Sequence, residues 1–188
     1  MLNNQLASKY AQALCLLAQE KGVLAEAGRQ LALVVETAAS NPDFGGLLYH
    51  PLIPTAAKKE TIEKVFDGEL MVIVKNFLFV VIDKRRETAL PAILQAYTDF
   101  ANESQNILPA EVTTAAPLTG AQEAALAEKL GVMTGKTVVI TQRIDARLLG
   151  GVVVKIGDKL IDGSVARQLK TLQAALLRTP LTKIGVTG

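Results

Sequence analysis

Apolar residues recur every three or four positions through the first hundred residues of the chain. In the first segment this spacing links Leu6, Tyr10 and Leu14, and it is the period of an amphipathic helix. The pattern is interrupted by residues that end helices or form turns, at Gly22, Asn41-Pro42, His50-Pro51 and Asp67-Gly68. It resumes after Glu87, and we therefore predict six successive helices that form a bundle over residues 1–106.

The pattern changes near Ile107, where the sequence EVTTAAPL is rich in valine and threonine and favours a strand. Thr119 then precedes a helical segment, and KTVVITQRI and GGVVVKI follow as alternating strands. A turn at Gly157-Asp158 returns the chain as a short strand before a last amphipathic helix. We predict a mainly α fold, in which the helical bundle is followed by a small α/β domain over residues 110–178 and a flexible tail over 179–188.

The most apolar segment of the chain is LMVIVKNFLFVVI, at Leu70–Ile82. Its 13 residues fall short of the roughly 20 that a membrane-spanning helix needs. It is nevertheless apolar on all sides, whereas a surface helix of a small bundle keeps a polar face toward water. The first helix carries small residues that leave room for a docked helix, at Ala7, Ala11, Ala13 and Ala18. These features predict that a partner covers the second side of the fifth helix.

The charge and the scarce reactive residues exclude several function classes. The chain of 188 residues carries 20 lysines and arginines against 18 aspartates and glutamates, a net charge of +2, which gives no field that favours nucleic acid or an anionic membrane. The single cysteine, Cys15, excludes an internal disulfide, and the single histidine, His50, excludes a histidine metal cluster or a two-histidine acid–base pair. We expect Cys15 in the core, His50 in a turn, the charge run Asp83–Glu87 at a solvated helix end, and no metal ion or other cofactor.

The segment GVMTGKT, Gly131–Thr137, resembles a phosphate-binding loop in composition but not in spacing. The P-loop motif needs a glycine five residues before Gly135, and Leu130 stands there. A helix also precedes this segment and a strand follows it, which is the reverse of the order that points backbone amides at a phosphate. We predict no direct nucleotide binding.

The segment GGVVVKIGDKLIDGSVARQL near the C-terminus has glycine turns beside a helix start, a layout that phosphate sites also use. Asp162, however, would repel an anion there, and we interpret it, with Ser164, as a cap of the last helix. We assign backbone turns to Gly150, Gly151, Gly157 and Gly163. Ser164 has no histidine nearby in the sequence to act as its base, so we predict no catalytic residue.

Four motifs, which span nearly the whole chain, together resemble one family of proteins. They are YAQAL near the N-terminus, LLYHPLIPTAAKKETI, EVTTAAPLT, and IDARLLGGVVVKIGDKLIDGSVARQL. The chain resembles the delta subunit of bacterial F-type ATP synthases, which is related to the mitochondrial oligomycin-sensitivity-conferring protein. The resemblance implies a non-catalytic stator subunit that ties the catalytic head to the membrane sector and resists the torque of rotation.

The resemblance also implies two partners. The N-terminal helix of an alpha subunit would lie in a groove between the first and fifth helices, and the C-terminal end of the b subunit would meet the α/β domain. The protein would associate with the cytoplasmic face of the bacterial cell membrane only through the complex. By spacing we assign the alpha-subunit contacts to Tyr10, Ala11, Leu14, Ala18, Val74, Phe77, Leu78 and Val81. The stalk contacts are assigned to Val153 and Lys155, on the strand face that the last helix is expected to leave uncovered.

Two other classes of protein remain as alternatives, a nucleic-acid-binding or translation module and a small enzyme. The first predicts a concentrated basic face and salt-dependent binding, which the balanced charge disfavours. The second predicts an acid–base or metal set, which one histidine cannot supply.

Overall fold

Residues 2–178 are described in a computed structural model of the chain, and they fall into two units. The division lies between Gln105 and Asn106. The second unit begins a few residues earlier than the sequence indicated, because residues 107–110 already belong to its first strand. The tail predicted over 179–188 lies outside the described residues. The described part is mainly helical with a small sheet toward the C-terminus, which confirms the predicted fold class at this level.

The first unit is built from helices that end close to the sequence breakers. Their bounds are α1 (Leu2–Glu20), α2 (Leu24–Ser40), α3 (Pro42–Tyr49), α4 (Thr55–Val65), α5 (Val72–Asp83) and α6 (Leu90–Ser104), with a 3₁₀ turn at Glu87–Ala89. Asn41 caps α3, because its side chain accepts hydrogen bonds from the backbone N–H groups of Asp43 and Phe44, both at 3.1 Å. His50 follows α3 in a turn, where its Nδ1 accepts a hydrogen bond from the backbone N–H of Leu52 at 3.2 Å.

The core of the first unit is apolar and contains few polar atoms. Helix α1 packs mainly against α6, and α2 packs against α3 and α6. Leu14 and Leu78 are fully buried, and Cys15 lies in the same core, where burial raises the pKa of its thiol. The buried hydroxyl of Tyr97 donates a hydrogen bond to the carbonyl oxygen of Leu24 at 2.8 Å. Burial also raises the pKa of Tyr97 to about 12.

One ion pair lies inside this helical unit, and it corrects the prediction of a solvated end over Asp83–Glu87 at one position: residues 83–86 are exposed as predicted, but Glu87 is buried. Glu87 is only 5% exposed and Lys58 of α4 only 1%. The ammonium group of Lys58 donates a hydrogen bond to Glu87 Oε1, while Glu87 Oε2 accepts none from the described residues. Charge runs usually mark surface, so the sequence pattern gave no sign of this burial. Each of these charges is stable in the interior only while the other is present.

We predict that Lys58→Met lowers the free energy of unfolding by about 3–5 kcal/mol, because it leaves the Glu87 carboxylate buried without a cation. The double variant Lys58→Met/Glu87→Met should be more stable than either single variant. Urea unfolding followed by circular dichroism measures both effects. Lys64→Met is the control on the same helix, since the exposed pair Lys64–Glu60 should contribute little. A double variant as unstable as the worse single variant would contradict the coupling.

The described residues of the second unit form a four-stranded sheet and two helices. Their bounds are β1 (Ile107–Thr114), α7 (Gly120–Thr134), β2 (Thr137–Ile144), β3 (Val152–Ile156), β4 (Lys159–Asp162) and α8 (Val165–Arg178). The strands lie in the order β2-β1-β3-β4. Strand β1 is parallel to β2 and antiparallel to β3, which is antiparallel to β4. Helix α7 is the crossover that a parallel pair of strands requires.

One face of this sheet packs against α7. Val112 of β1, Val138 of β2 and Val154 of β3 are buried with Leu130 of α7. Thr119 begins α7 with a capping box, so the start of the helix that carries Leu130 is fixed by local hydrogen bonds. Buried and exposed residues therefore alternate along the strands, because α7 covers one face of the sheet.

Helix α8 corrects a second prediction, namely that its apolar stripe covers a face of the sheet. Val165, Leu169 and Leu172 of this stripe are 37%, 55% and 58% exposed. The helical period identifies the stripe correctly, but the period does not determine what the stripe faces. The stripe is open to solvent over the described side chains.

The start of α8 is held by backbone contacts with the loop before β3. The backbone N–H of Val165 donates to the carbonyl oxygen of Gly150 at 3.0 Å, and that of Gly163 donates to Val152 at 2.9 Å. Gly151 has φ +82°, and a Cβ atom there would lie 2.4 Å from the carbonyl oxygen of Gly163. Only glycine fits this approach. Gly163 itself has no positive φ, so close packing and not backbone freedom explains it.

We predict that Gly151→Ala lowers the free energy of unfolding of the second unit by at least about 2 kcal/mol, because strain at positive φ adds to the backbone collision. Gly157→Ala is the matched control: Gly157 also has positive φ, but nothing lies within 4 Å of a Cβ atom there. It should cost only about 1 kcal/mol. Hydrogen exchange of the β3 and β4 amides reports the difference. Equal loss of protection in both variants would contradict the proposed close contact.

Candidate functional site: the α1–α5 groove

An open groove of about 460 Å³ runs between α1 and α5, and we call it the α1–α5 groove. Its lining residues are Tyr10, Ala13, Leu17, Lys21, Val72, Ile73, Asn76, Phe77 and Val80. They follow the three- and four-residue spacing of two helix ridges. From Tyr10 to Lys21 the α1 ridge is about 16 Å long at 1.5 Å per residue. The groove thus has the length of about three helical turns.

Helix α5 forms one wall because it is apolar on both sides. Val74, Leu78 and Val81 on its inner side are fully buried in the core. Val72 and Val80 on its outer side remain 70% and 49% exposed. An exposed apolar surface of this kind is typical of interaction sites.

Helix α1 forms the other wall. Its inner side is made of small residues, including Ala11 and Ala18, and Leu14, all fully buried, so that α1 approaches its neighbours closely. Its outer side presents Ala13 and the half-exposed Leu17 to the groove. The small side chain of Ala13 leaves space next to Leu17, where an incoming side chain can insert.

Polar and aromatic contacts hold α5 in place at the groove. The buried Gln30 of α2 accepts a hydrogen bond at its Oε1 from the backbone N–H of Met71 at 2.7 Å, which satisfies a donor at the N-terminus of α5. Tyr10 of α1 and Phe77 of α5 meet edge to face, with ring centroids 6.4 Å apart and planes at 73°. Lys59 of α4 lies 5.3 Å from the centroid of the Phe79 ring on α5. These contacts order the groove before any partner binds.

The burial of most of the predicted contact residues corrects their assignment to the partner surface. Of the eight residues assigned to the alpha subunit, only Tyr10 and Phe77 line the groove. The other six belong to the core and are 0% exposed: Ala11, Leu14, Ala18, Val74, Leu78 and Val81. They cannot touch a partner while this packing persists. The groove-lining residues that spacing missed are Ala13, Leu17, Lys21, Val72, Ile73, Asn76 and Val80. Asn76 is a polar residue among the mostly apolar groove-lining residues of α5, and the assignment by spacing did not use it to separate the inner stripe from the outer one.

A second candidate surface lies on the other unit. Val153 and Lys155 point away from the α7 side of the sheet, as their alternation with the buried Val154 requires. Lys155 is exposed and Val153 half-buried. The stripe of α8 adds the exposed leucines Leu169 and Leu172. The stripe of α8 is therefore a second exposed apolar surface of this unit, to which the sequence analysis did not assign contacts.

The predicted cap residues lie together at the start of α8. The Ser164 side chain accepts a hydrogen bond from the backbone N–H of Arg167 at 3.2 Å. Asp162 Oδ1 accepts one from the backbone N–H of Ser164 at 2.9 Å. Hydrogen bonds from Ser164 hold the pKa of Asp162 below its ordinary value. Gly150, Gly151 and Gly157 have positive φ, as turn residues do.

The described part of the chain has neither a cluster of metal ligands nor a helix that could span a membrane. Within residues 2–178, histidine, cysteine and acidic side chains form no group of three that could hold a metal ion. Over that range, no helix has both the length and the apolar character to cross a membrane.

Comparison with known proteins gives consistent matches along nearly the whole chain. The family described as ATP synthase delta (OSCP) subunit matches residues 6–176. A protein named ATP synthase subunit delta from Syntrophomonas wolfei is 38% identical over 185 residues, which cover 97% of this chain and 100% of that protein. A protein of the same name from Desulfitobacterium hafniense strain Y51 is 39% identical, covering 94% of this chain and 98% of that protein. Among solved structures, a chain of the mitochondrial ATP synthase hexamer of Toxoplasma gondii is similar in fold, with a TM-score of 0.63, 19% identity, and coverage of 93% of this chain and 98% of that one.

Proposed function

The chain belongs to the ATP synthase delta (OSCP) subunit family, and from this premise we propose how its two units connect the complex. As a member of this family the chain is a non-catalytic, structural component of the peripheral stalk of an F-type ATP synthase. It works in a complex that contains alpha and b subunits. Our proposal concerns which surface takes which partner.

In this proposal the first unit is a six-helix bundle whose α1–α5 groove takes the N-terminal helix of an alpha subunit. The observation that carries it is the apolar outer side of α5, with Val72 70% and Val80 49% exposed beside Leu17 of α1. Two parallel helix ridges accept a third helix by ridge-into-groove packing. A strand would need a free backbone edge to pair with, and the helical walls of the groove offer none. A helix needs no such edge and can bind through its apolar side.

The second unit, in the same proposal, takes the C-terminal end of the b subunit. The support is the open stripe of α8, with Leu169 55% and Leu172 58% exposed, together with the sheet face that carries Val153 and Lys155. An amphipathic helix that has no partner within its own unit is suited to pack against another helix. The subunit would then tie the catalytic head to the stalk, at the cytoplasmic face of a bacterial cell membrane, and resist torque.

Leu17→Asp should weaken binding of the alpha-subunit N-terminal peptide to the full-length chain by at least about tenfold, because an unpaired carboxylate would be buried in the apolar groove. Leu16→Asp is the matched control: Leu16 is the next residue on α1 and is 56% exposed, against 48% for Leu17, but it lines a different cavity, toward α6. Isothermal titration calorimetry gives both affinities. Equal weakening by both changes would indicate that α1 is perturbed as a whole and that the groove is not the site.

Leu169→Asp should weaken binding of a soluble b-subunit fragment by at least about tenfold, for the same reason of burial. Ala174 is exposed and lies on the opposite side of α8 by helical geometry, so Ala174→Asp should leave the affinity nearly unchanged. Val153→Asp tests the sheet face separately. Binding of the alpha-subunit peptide should survive all three changes. If only Val153→Asp weakens b binding, the sheet face and not the α8 stripe is the docking surface.

A further inference from the structure

One polar side chain interrupts the apolar ridge of the α1–α5 groove. Val72, Asn76 and Val80 are spaced by four residues and form one ridge along the outer side of α5. Asn76 is the middle member, about 6 Å along the helix axis from each valine. Its side chain is exposed to solvent, and no described side chain forms a hydrogen bond with it.

A helix that fills the groove removes this amide from water. An amide that loses its water without gaining a hydrogen bond costs about 1–3 kcal/mol. The occupant avoids this cost only if it places a polar side chain opposite Asn76. A single asparagine in an apolar helix seam acts in the same way in coiled coils, where it fixes the register at some expense of stability.

The apolar lining residues of the groove do not fix a register, and the hydroxyl-bearing Tyr10 lies at the end of the α1 ridge opposite Lys21. Valine, isoleucine and phenylalanine side chains on α5, with alanine and leucine on α1, contact any apolar side chain of suitable size. A helix could slide by one turn along such a surface and keep most of its burial. Lys21, the charged lining residue, lies at one end of the groove and is exposed, where solvent screens its charge.

We infer that Asn76 is the register-determining residue of this groove, and that its helical partner carries one hydrogen-bonding side chain, within its otherwise apolar side, opposite Asn76. The inference rests on the proposed docking of the alpha-subunit N-terminal helix. It specifies the partner chemistry further: an amphipathic helix of about three turns with a single polar residue inside its apolar stripe.

The test uses the full-length chain and a synthetic peptide with the N-terminal sequence of the alpha subunit encoded in the same genome. Each polar residue of the peptide is replaced singly by leucine, and each peptide is titrated against the unmodified chain and the Asn76→Leu variant. One peptide position should lose about tenfold in affinity for the unmodified chain and lose nothing, or gain, with Asn76→Leu. Lys75→Leu is the control on α5, because Lys75 pairs with Glu63 outside the groove. In this variant the same peptide position should still lose about tenfold in affinity when it is replaced by leucine.

A transplanted amide makes the test sharper. In the variant Asn76→Leu/Val80→Asn the amide moves one turn along the same ridge, and the peptide should slide by one turn with it, so that the same polar position of the peptide stays coupled to the transplanted amide. Binding to the unmodified chain without any coupled position would overturn the inference and leave the groove assignment standing. Loss of the coupling at that position in the transplanted variant, with peptide binding retained, would overturn it as well. Absence of peptide binding to the unmodified chain would overturn both the inference and the proposed docking site.

Discussion

Helix α5 has more apolar surface than the first unit can bury. Its inner side, with Val74, Leu78 and Val81 at 0% exposure, completes the core, and its outer ridge remains in contact with water. Burial of apolar surface contributes roughly 25 cal/mol per Å², so burial is favourable for both sides of α5. Within the described unit only the inner side is buried. The outer residues Val72 and Val80 therefore remain as an exposed apolar surface that the described residues of the unit do not cover. An ordinary surface helix avoids this by carrying a polar face.

Because the groove depends on where α5 lies, the contacts that hold α5 also determine how ready the groove is for a partner. Gln30 fixes its N-terminal end, and Lys59 of α4 pairs with Asp83 at its C-terminal end at 2.6 Å. Because α5 is already held in place, few side chains need to become ordered when a partner binds, and the entropic cost of binding is smaller. The Lys58–Glu87 pair lies deeper and fixes the 3₁₀ turn after α5 against α4. Removing it would disturb the wall of the groove without touching a lining residue.

The sequence predicted the order of the elements because their ends are local. Asn41-Pro42, the capping residue Thr119 and the Gly157-Asp158 turn act through neighbouring backbone atoms, which a single segment contains. Which neighbour each apolar helix stripe packs against was not predictable in the same way, because it depends on tertiary contacts. In α5 the outer stripe differs from the inner one mainly by Asn76, and in α8 the described side chains of the stripe are exposed and do not cover the sheet. The burial of Glu87 was not predicted because Glu87 belongs to a run of charged residues that is typical of a surface. Its partner Lys58 is also 29 residues away in the sequence.

The two proposed docking surfaces become exposed for different physical reasons. In the first unit a helix is fixed by tertiary packing, and the surface left over is a groove between two rigid walls. In the second unit α8 is fixed at its start by the backbone contacts of Gly150, Gly151 and Gly163, and its stripe stands free of the sheet. A static tether needs slow dissociation at both ends, and most differences in affinity among related complexes arise from dissociation rates. Apolar burial can supply that persistence, but it is not directional. Each proposed surface therefore needs a point that fixes the partner in one position. In the groove we assign this role to the Asn76 amide, whereas the close approach of Gly151 to Gly163 fixes only the start of α8 itself.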